Sequence, residues 1–127
     1  MANASLEHVN VTVSDPKATA EMLCTLFDWH IRWHGDAKDD GTTYHVGNET
    51  SYLAVYSKGG HVQRPNSYNT PGGLNHIGVV VDDLDATEER VRNAGFKPHS
   101  HGSYEPGRRF YFDGHDGIEI EVVVYGN

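Results

Sequence analysis

One stretch of the sequence occurs twice, and this repeat limits the folds that the chain can adopt. LEHVNVTVSD begins at Leu6, and LNHIGVVVDD begins at Leu74, 68 positions later. The same offset aligns His8 with His76. It continues downstream, where Ala18, Thr19 and Glu21 align with Ala86, Thr87 and Glu89. A histidine and several downstream residues shared in one register indicate a duplicated structural unit rather than ordinary strand composition.

Each copy begins with alternating apolar residues, a pattern typical of a strand with one buried face. In the first copy these residues are Val9, Val11 and Val13. Asp15 followed by Pro16 predicts a helix N-cap and a proline at the first helical position. Asp83 predicts the matching cap in the second copy, and Gly95 predicts the end of that helix. Each copy therefore begins as a strand followed by a helix.

Three short strands separated by turn residues are predicted after each helix. They cover 30–34, 42–46 and 51–57 in the first copy, and 96–101, 108–112 and 118–125 in the second, with a turn at Pro106-Gly107. The predicted inner helix faces comprise Thr19, Leu23, Leu26 and Phe27, and then Leu84, Thr87, Val91 and Ala94. Residues 58–72 are rich in Gly, Pro and Asn and predict a linker. The prediction is one α+β domain, 1–127, made of two tandem βαβββ modules at about 5–57 and 73–125.

Composition excludes several classes of protein. The net charge of −8 argues against nucleic acid as a partner, because such binding depends on Lys and Arg neutralising phosphates. No apolar run approaches the roughly 18 residues of a membrane span, and the opening MANASLEH lacks the layout of a signal peptide. The single cysteine, Cys24, has no internal disulfide partner, so the expected location is cytoplasmic.

The duplicated pattern resembles the vicinal oxygen chelate superfamily. The motifs that carry this resemblance are LEHVNVTVSD, LNHIGVVVDD and FYFDGHDGIEIEVVVY, and it covers essentially the whole chain. The superfamily includes glyoxalase I, extradiol dioxygenases, fosfomycin-resistance thiol transferases and bleomycin-binding proteins. The resemblance implies a curved mixed sheet that forms a cup, with helices on its convex side. The chain departs from the pattern at 114–117, where the usual Asp-Pro-Asp-Gly turn is Gly-His-Asp-Gly.

Strand parity directs two histidines away from the helices. If the valines of the first strand face the helix, His8 points the opposite way, and the same argument applies to His76. The resemblance places His8, His76 and Glu121 at metal-ligand positions. It implies a divalent ion (Fe, Mn, Zn or Ni) that a small oxygen-rich substrate chelates. Glyoxalase I has a fourth ligand, but aligning SYLAVYS with EIEVVVY puts Ala54 opposite Glu121.

Other polar and aromatic residues are candidates for catalysis or substrate binding. Tyr111 lies ten residues before Glu121, as does a substrate-binding tyrosine of extradiol dioxygenases, which implies a hydrogen-bonding or proton-transfer role. His101 is the candidate for the histidine that the resemblance expects upstream, and it is predicted to share a face with His99. Arg109 shares a face with Tyr111 and is a candidate for binding a substrate carboxylate. The cup wall is predicted to include two further aromatic residues, Tyr52 and Tyr56.

Two functional classes remain open. One is a metal-dependent enzyme with dioxygenase-, lyase- or thiol-transferase-like chemistry. The other is a metal-free protein of the bleomycin-resistance type, which sequesters a small molecule. The resemblance also implies a homodimer.

Overall fold

The computed structural model describes residues 3–104 and 107–126. The chain divides into two compact units, which are called unit 1 (Met1–His61) and unit 2 (Val62–Asn127). Unit 1 contains β1 (His8–Thr12), α1 (Pro16–Phe27), β2 (His30–Asp36), β3 (Thr42–Gly47) and β4 (Tyr52–Ser57). Unit 2 contains β5 (Ile77–Val80), α2 (Leu84–Asn93), β6 (His99–Tyr104), β7 (Gly107–Asp113) and β8 (Glu119–Tyr125). The predicted α+β class with two βαβββ modules is confirmed.

Both units build a four-stranded mixed sheet of the same topology. The strand order is β1-β4-β3-β2 in unit 1 and β5-β8-β7-β6 in unit 2. The first strand of each unit pairs in parallel with the last strand, and the other pairs are antiparallel. A parallel pair requires a long crossover connection. Within each unit, the helix and two antiparallel strands supply it.

The predicted helix ends are confirmed. The side chains of Asp15 and Asp83 each accept a hydrogen bond from the backbone N–H three residues later, at 3.1 Å and 3.0 Å. Pro16 occupies the first turn of α1, where the missing N–H costs nothing. The residue after the α2 cap is Gly95, whose φ of +94° suits a residue without a Cβ. Neither helix in the described part of the chain has the length and apolar character needed to span a membrane.

The apolar cores lie where the helix faces meet the sheets. In unit 1 the buried residues include Leu23, Leu26, Val46 and Val55. In unit 2 they include Val91, Phe110, Phe112 and Val122. On β7 and β8 the buried residues alternate with more polar ones, as expected for strands with one face against a helix.

Four local predictions need correction or fall outside the described residues. Val9 is 40% exposed although it was predicted to be buried, because β1 is an edge strand and α1 packs mainly against β3 and β4. Ala94 is exposed, since it caps α2 rather than continuing its inner face. The predicted strand at 96–101 starts only at His99. Of the predicted Pro106-Gly107 turn, Pro106 lies outside the described residues, and Gly107 begins β7.

Candidate functional site

In unit 2, the sheet face opposite the buried residues carries a row of charged and polar side chains. This surface is called the polar face, and it comprises Arg109, Tyr111, Asp113, Glu119 and Glu121. The strand register places Tyr111 beside Glu121, and Asp113 beside Glu119. The alternation that buries Phe110 and Phe112 therefore gathers these polar side chains on one surface.

Glu121 lies at the centre of the polar face and bonds with two predicted site residues. Its Oε2 accepts a hydrogen bond from Arg109 Nη1 at 2.7 Å, and its Oε1 lies 3.1 Å from His76 Nε2. The Arg109 and Glu121 side chains are each 12% exposed. A charge so far removed from water needs a partner, and the two side chains supply one to each other. Arg109 therefore holds Glu121 in place.

His76 contacts Glu121 through one ring nitrogen and buries the other. Its Nε2 faces Glu121, and its Nδ1 is buried without a hydrogen-bond partner among the described residues. Neighbouring ligands at about 2.1 Å from an octahedral ion lie about 3.0 Å apart. Nε2 and Glu121 Oε1 form a hydrogen bond of 3.1 Å, and this length is also close to that separation. The Tyr111 ring lies next to His76, edge-on to the imidazole at a centroid distance of 5.7 Å.

In unit 1, the corresponding sheet face carries stacked rings. This aromatic face comprises His8, Trp33, His45 and Tyr52. The Tyr52 ring stacks on His8 at 4.8 Å and on His45 at 4.6 Å, and Trp33 lies 5.2 Å from His45. The Trp33 side chain is exposed, so the surface remains accessible within this chain.

A neighbouring carboxylate orients His8. Its Nδ1 lies 2.9 Å from Glu7 Oε1. Histidines that bind metals usually use one ring nitrogen for the metal and donate the other N–H to a carboxylate or carbonyl, which fixes the ring orientation. The Glu7 contact has the geometry of this arrangement.

Two groups of the aromatic face have shifted pKa values. Burial, followed by the positive potential of His8 and Arg32, lowers the pKa of His45 below its ordinary value of 6.5. Burial and the nearby Glu7 carboxylate raise the pKa of Tyr52 above its ordinary value of 10.0. At neutral pH, both rings are therefore held in their uncharged forms.

The strand register tests the alignment of Ala54 with Glu121. Ala54 pairs with Asn10 on β1, and Glu121 pairs with Gly78 on β5. Asn10 and Gly78 are equivalent under the 68-residue offset. Ala54 thus occupies the position in unit 1 that Glu121 occupies in unit 2, and it offers no ligand atom.

The Tyr56 hydroxyl makes a hydrogen bond within unit 1. Its hydroxyl donates a hydrogen bond to the Lys38 backbone oxygen at 2.6 Å. Its ring also lies close to Gly41, where an added Cβ would come within 2.5 Å of a ring carbon. Tyr56 therefore holds the 38–41 segment against β4. Its ring, rather than its hydroxyl, is the part that can line the predicted cup wall.

The prediction that His99 and His101 share a face is wrong. His101 Nε2 lies 2.8 Å from Glu88 Oε2 on α2, and its ring stacks on the buried Phe110, so it lies on the helix side. His99 instead stacks on Tyr111 of the polar face. A β-bulge between His99 and Gly102 inserts one extra residue and reverses the alternation. His101 is therefore not among the side chains gathered around Glu121.

A second group of side chains on the polar face was not predicted from the sequence. His99 Nε2 lies 3.4 Å from Asp113 Oδ1, and Tyr68 donates a hydrogen bond to Glu119. That bond raises the pKa of Tyr68 to about 12, so its hydroxyl remains a donor at neutral pH. Strand parity could have found Asp113 and Glu119, because each lies two residues from Tyr111 or Glu121 and therefore on the same face of its strand. No sequence signal indicates that Tyr68, in the segment predicted as a linker, contacts β8.

The whole-chain comparison identifies the family. A model of the Glyoxalase/Bleomycin resistance protein/Dioxygenase superfamily matches residues 5–122. The chain therefore belongs to this superfamily, and the resemblance predicted from the repeat is confirmed. No curated protein sequence matches the chain.

Solved structures share the fold at low sequence identity. A glyoxylase/bleomycin resistance protein/dioxygenase domain from Frankia sp. EAN1pec is 22% identical, with a TM-score of 0.83, over 98% of this chain and 100% of that one. TnmS3, an antibiotic binding protein from Streptomyces sp. CB03234, is 18% identical, with a TM-score of 0.77, over 99% of each chain. A mutant of the fosfomycin resistance protein FosX from Listeria monocytogenes, complexed with Mn(II) and 1S,2S-dihydroxypropylphosphonic acid, is 18% identical, with a TM-score of 0.74, over 96% and 93%.

Proposed function

We propose that this protein is a divalent-metal-dependent enzyme of the vicinal oxygen chelate type that acts on a small oxygen-rich substrate. His8, His76 and Glu121 would hold the ion. The observation that carries the proposal is the 3.1 Å separation of His76 Nε2 and Glu121 Oε1, which suits two ligands of one ion. Two imidazoles and one carboxylate leave coordination positions for a substrate with two adjacent oxygens.

The orientation of His8 supports its inclusion in this ligand set. The Glu7 carboxylate fixes the ring through Nδ1, as carboxylates do for many metal-bound histidines. The rings of Tyr52 and His45 pack against it and restrict its rotation further. Because Ala54 replaces the fourth ligand of glyoxalase I, the proposed site has three protein ligands.

When bound, the ion would act as a Lewis acid toward substrate oxygens. The chain's own residues would have separate tasks. Tyr111 lies beside His76 and Glu121 and would donate a hydrogen bond to the substrate. Arg109 would keep Glu121 oriented rather than bind a substrate carboxylate, because its guanidinium already bonds with that residue. The Tyr52 and Tyr56 rings would contribute apolar wall surface.

The structural relatives support this proposal at the level of the superfamily. FosX, which has the same fold, is described in complex with Mn(II) and a dihydroxypropylphosphonic acid. That ligand is small and rich in oxygen, which agrees with the substrate class proposed here. Mn(II), Fe(II), Zn(II) and Ni(II) are all compatible with imidazole and carboxylate ligands.

The second candidate function is metal-free binding of a small molecule, and one contact favours it. Glu121 already has a cationic partner in Arg109, so it needs no metal ion for charge compensation. In this case the aromatic face would stack against a flat ligand. TnmS3, described as an antibiotic binding protein, has the same fold.

Metal binding to the untagged protein separates the two candidates. Mn(II) titration followed by EPR should show that His8→Gln, His76→Gln and Glu121→Gln each weaken binding by about 100-fold. His34→Gln is the matched control, because this exposed histidine lies outside the proposed ligand set, and it should leave the affinity unchanged. If all three ligand variants bind Mn(II) as wild type does, the enzyme proposal fails and the binding-protein candidate is favoured.

We also propose a cytoplasmic homodimer. Exposed apolar residues support dimer formation, because Leu6 is 79% exposed just before edge strand β1, and Val80 is 63% exposed on edge strand β5. The single cysteine agrees with a reducing compartment. Light scattering during size-exclusion chromatography should give twice the chain mass. Val80→Asp should shift the protein toward the monomer, and a wild-type monomer would contradict the proposal.

A further inference from the structure

The polar face brings two carboxylates together at the end of the β7–β8 pair. Asp113 and Glu119 are directly opposite each other in the strand register. Like charges at such positions destabilise a sheet unless a cation or a proton compensates them. In unit 1 the equivalent pair is Gly47 and Tyr52, which carries no charge. The paired carboxylates therefore belong to unit 2 alone and need a separate explanation.

A histidine completes this group. The bulge after His99 separates it from His101 and leaves its ring on the polar face, stacked on Tyr111. His99 Nδ1 contacts Ser100 Oγ at 2.8 Å, and Nε2 faces Asp113. One nitrogen is thus held by a neighbouring hydroxyl, while the other faces a carboxylate. This is the arrangement of an oriented metal-ligating histidine.

Tyr68 restrains the third member. Its hydroxyl donates to Glu119 Oε1, which fixes the carboxylate and leaves a second oxygen available for a ligand role. The hydrogen bond also attaches the 62–73 segment to β8. Hydrogen-bonded carboxylates are typical of ordered metal sites.

The distances suit one ion. A ligand atom from each of His99, Asp113 and Glu119 lies within 4.8 Å of the other two. Ligands on opposite sides of an ion with bonds of about 2.1–2.3 Å lie about 4.2–4.6 Å apart. The Asp113 side chain is 60% exposed, so a small rotation can close the difference.

We propose that His99, Asp113 and Glu119 form a second divalent-cation site, separate from the ligand set of the proposed function. One imidazole and two carboxylates suit Mn(II) or Zn(II). The ion would compensate the opposed carboxylates and cross-link β6, β7 and β8. It would also add positive charge two residues from Glu121. This inference does not depend on the proposed function, because no ligand is shared.

Mn(II) binding to the full untagged chain tests the proposal, with stoichiometry read by EPR and the measurement repeated with Zn(II). The test variant is His99→Gln combined with Asp113→Asn, and it should lose one bound ion relative to wild type. A second variant, Glu119→Gln, should lose the same ion while retaining an oxygen that accepts from Tyr68. Without metal, both variants should melt no lower than wild type, because each removes a like-charge repulsion.

The control is Glu89→Gln, an exposed carboxylate on α2 outside the cluster, and it should leave the stoichiometry unchanged. His76→Gln separates this proposal from the proposed function. If only the cluster variants lose an ion, the second site stands and the first fails. If both cluster variants bind both metals with wild-type stoichiometry and affinity, the second site is overturned, whatever the result for His76→Gln.

Discussion

Tyr52 in unit 1 and Glu119 in unit 2 occupy the same place in two sheets of the same topology. Each immediately precedes the residue that pairs with the start of the apolar row, since Leu53 pairs with Val9, and Ile120 pairs with Ile77. Tyr52 stacks on two imidazoles, whereas Glu119 opposes a second carboxylate. Equivalent backbone positions thus carry stacked rings in one unit and two opposed carboxylates in the other.

The same contrast holds at the neighbouring positions. His45 and Tyr111 are equivalent, as are Trp33 and His99. The two sheets share one topology, and the side chains on the faces away from the helices differ strongly. Unit 1 offers aromatic surface and a single oriented imidazole, while unit 2 offers most of the charged groups. The proposed function requires both contributions.

The largest expected effect tests whether the two apolar cores contribute equally to the free energy of unfolding. Phe110 is fully buried, and its equivalent in unit 1 is the half-buried Tyr44. Phe110→Ala should lower the free energy of unfolding by about 3–5 kcal/mol, because it leaves a cavity. Tyr44→Ala should cost about 1–2 kcal/mol, since it removes less buried area. Urea denaturation measures both, and equal losses would contradict the difference between the cores.

The next comparison concerns Arg109 and its equivalent, Thr43. Arg109→Ala should cost about 2–3 kcal/mol, because it leaves the Glu121 carboxylate without its cationic partner. Thr43→Ala should cost about 1 kcal/mol, since it removes one hydrogen bond from Thr43 Oγ1 to the Val55 carbonyl, at 3.3 Å. If Mn(II) binds at Glu121, it should raise the melting temperature of Arg109→Ala more than that of wild type. A smaller loss for Arg109→Ala than for Thr43→Ala would show that the ion pair is dispensable.

The two helix N-caps should contribute equally to stability, unlike the side chains on the sheet faces. Asp15→Ala and Asp83→Ala should each lower the free energy of unfolding by about 1 kcal/mol, because each removes one side-chain acceptor from a helix N-terminus. Thermal unfolding followed by circular dichroism is sufficient. Asp82→Ala serves as the control beside the second cap and should have little effect. Clearly unequal losses for the two caps would show that the repeat does not extend to helix energetics.

The smallest effect is a pH dependence specific to the aromatic face. Because the native environment lowers the pKa of His45, the unfolded chain binds more protons at this residue as the pH falls below about 6.5. Stability should therefore decrease as the pH falls through this window and be fully present above it. His45→Gln should flatten the decrease in urea midpoint. An unchanged slope would assign the acid sensitivity to other groups.

The sequence predicted most of the backbone plan, because the information was local or repeated. Alternating valines, the two capping aspartates and Gly95 each act through their immediate neighbours, and the 68-residue offset connected the two copies. The same parity argument placed Arg109 and Tyr111 on one face, as the structure shows. Parity does not reveal what a face packs against, so the exposure of Val9 on an edge strand was missed.

The errors at the candidate site have two physical causes. Ser100 adopts a φ of +56° within the bulge of β6, and a serine at this position gives no sequence signal of that conformation. Alternation therefore failed between His99 and His101. The second cause is long-range contact. Tyr68 reaches a carboxylate 51 residues away, and Arg109 forms an ion pair with Glu121 that the sequence did not predict. Both contacts depend on proximity in the folded chain, which no local sequence pattern encodes.

The bulge at Ser100 also affects how such a protein could change during evolution. Removing one residue from this edge strand would shift every following side chain to the opposite flank while the order of strands stayed the same. A single-codon insertion or deletion in β6 would therefore exchange the side chains of this strand between the polar face and the helix side in one step. Length variation in an outer strand would then change the chemistry of the polar face without any substitution in the strands that carry Glu121 and Tyr111.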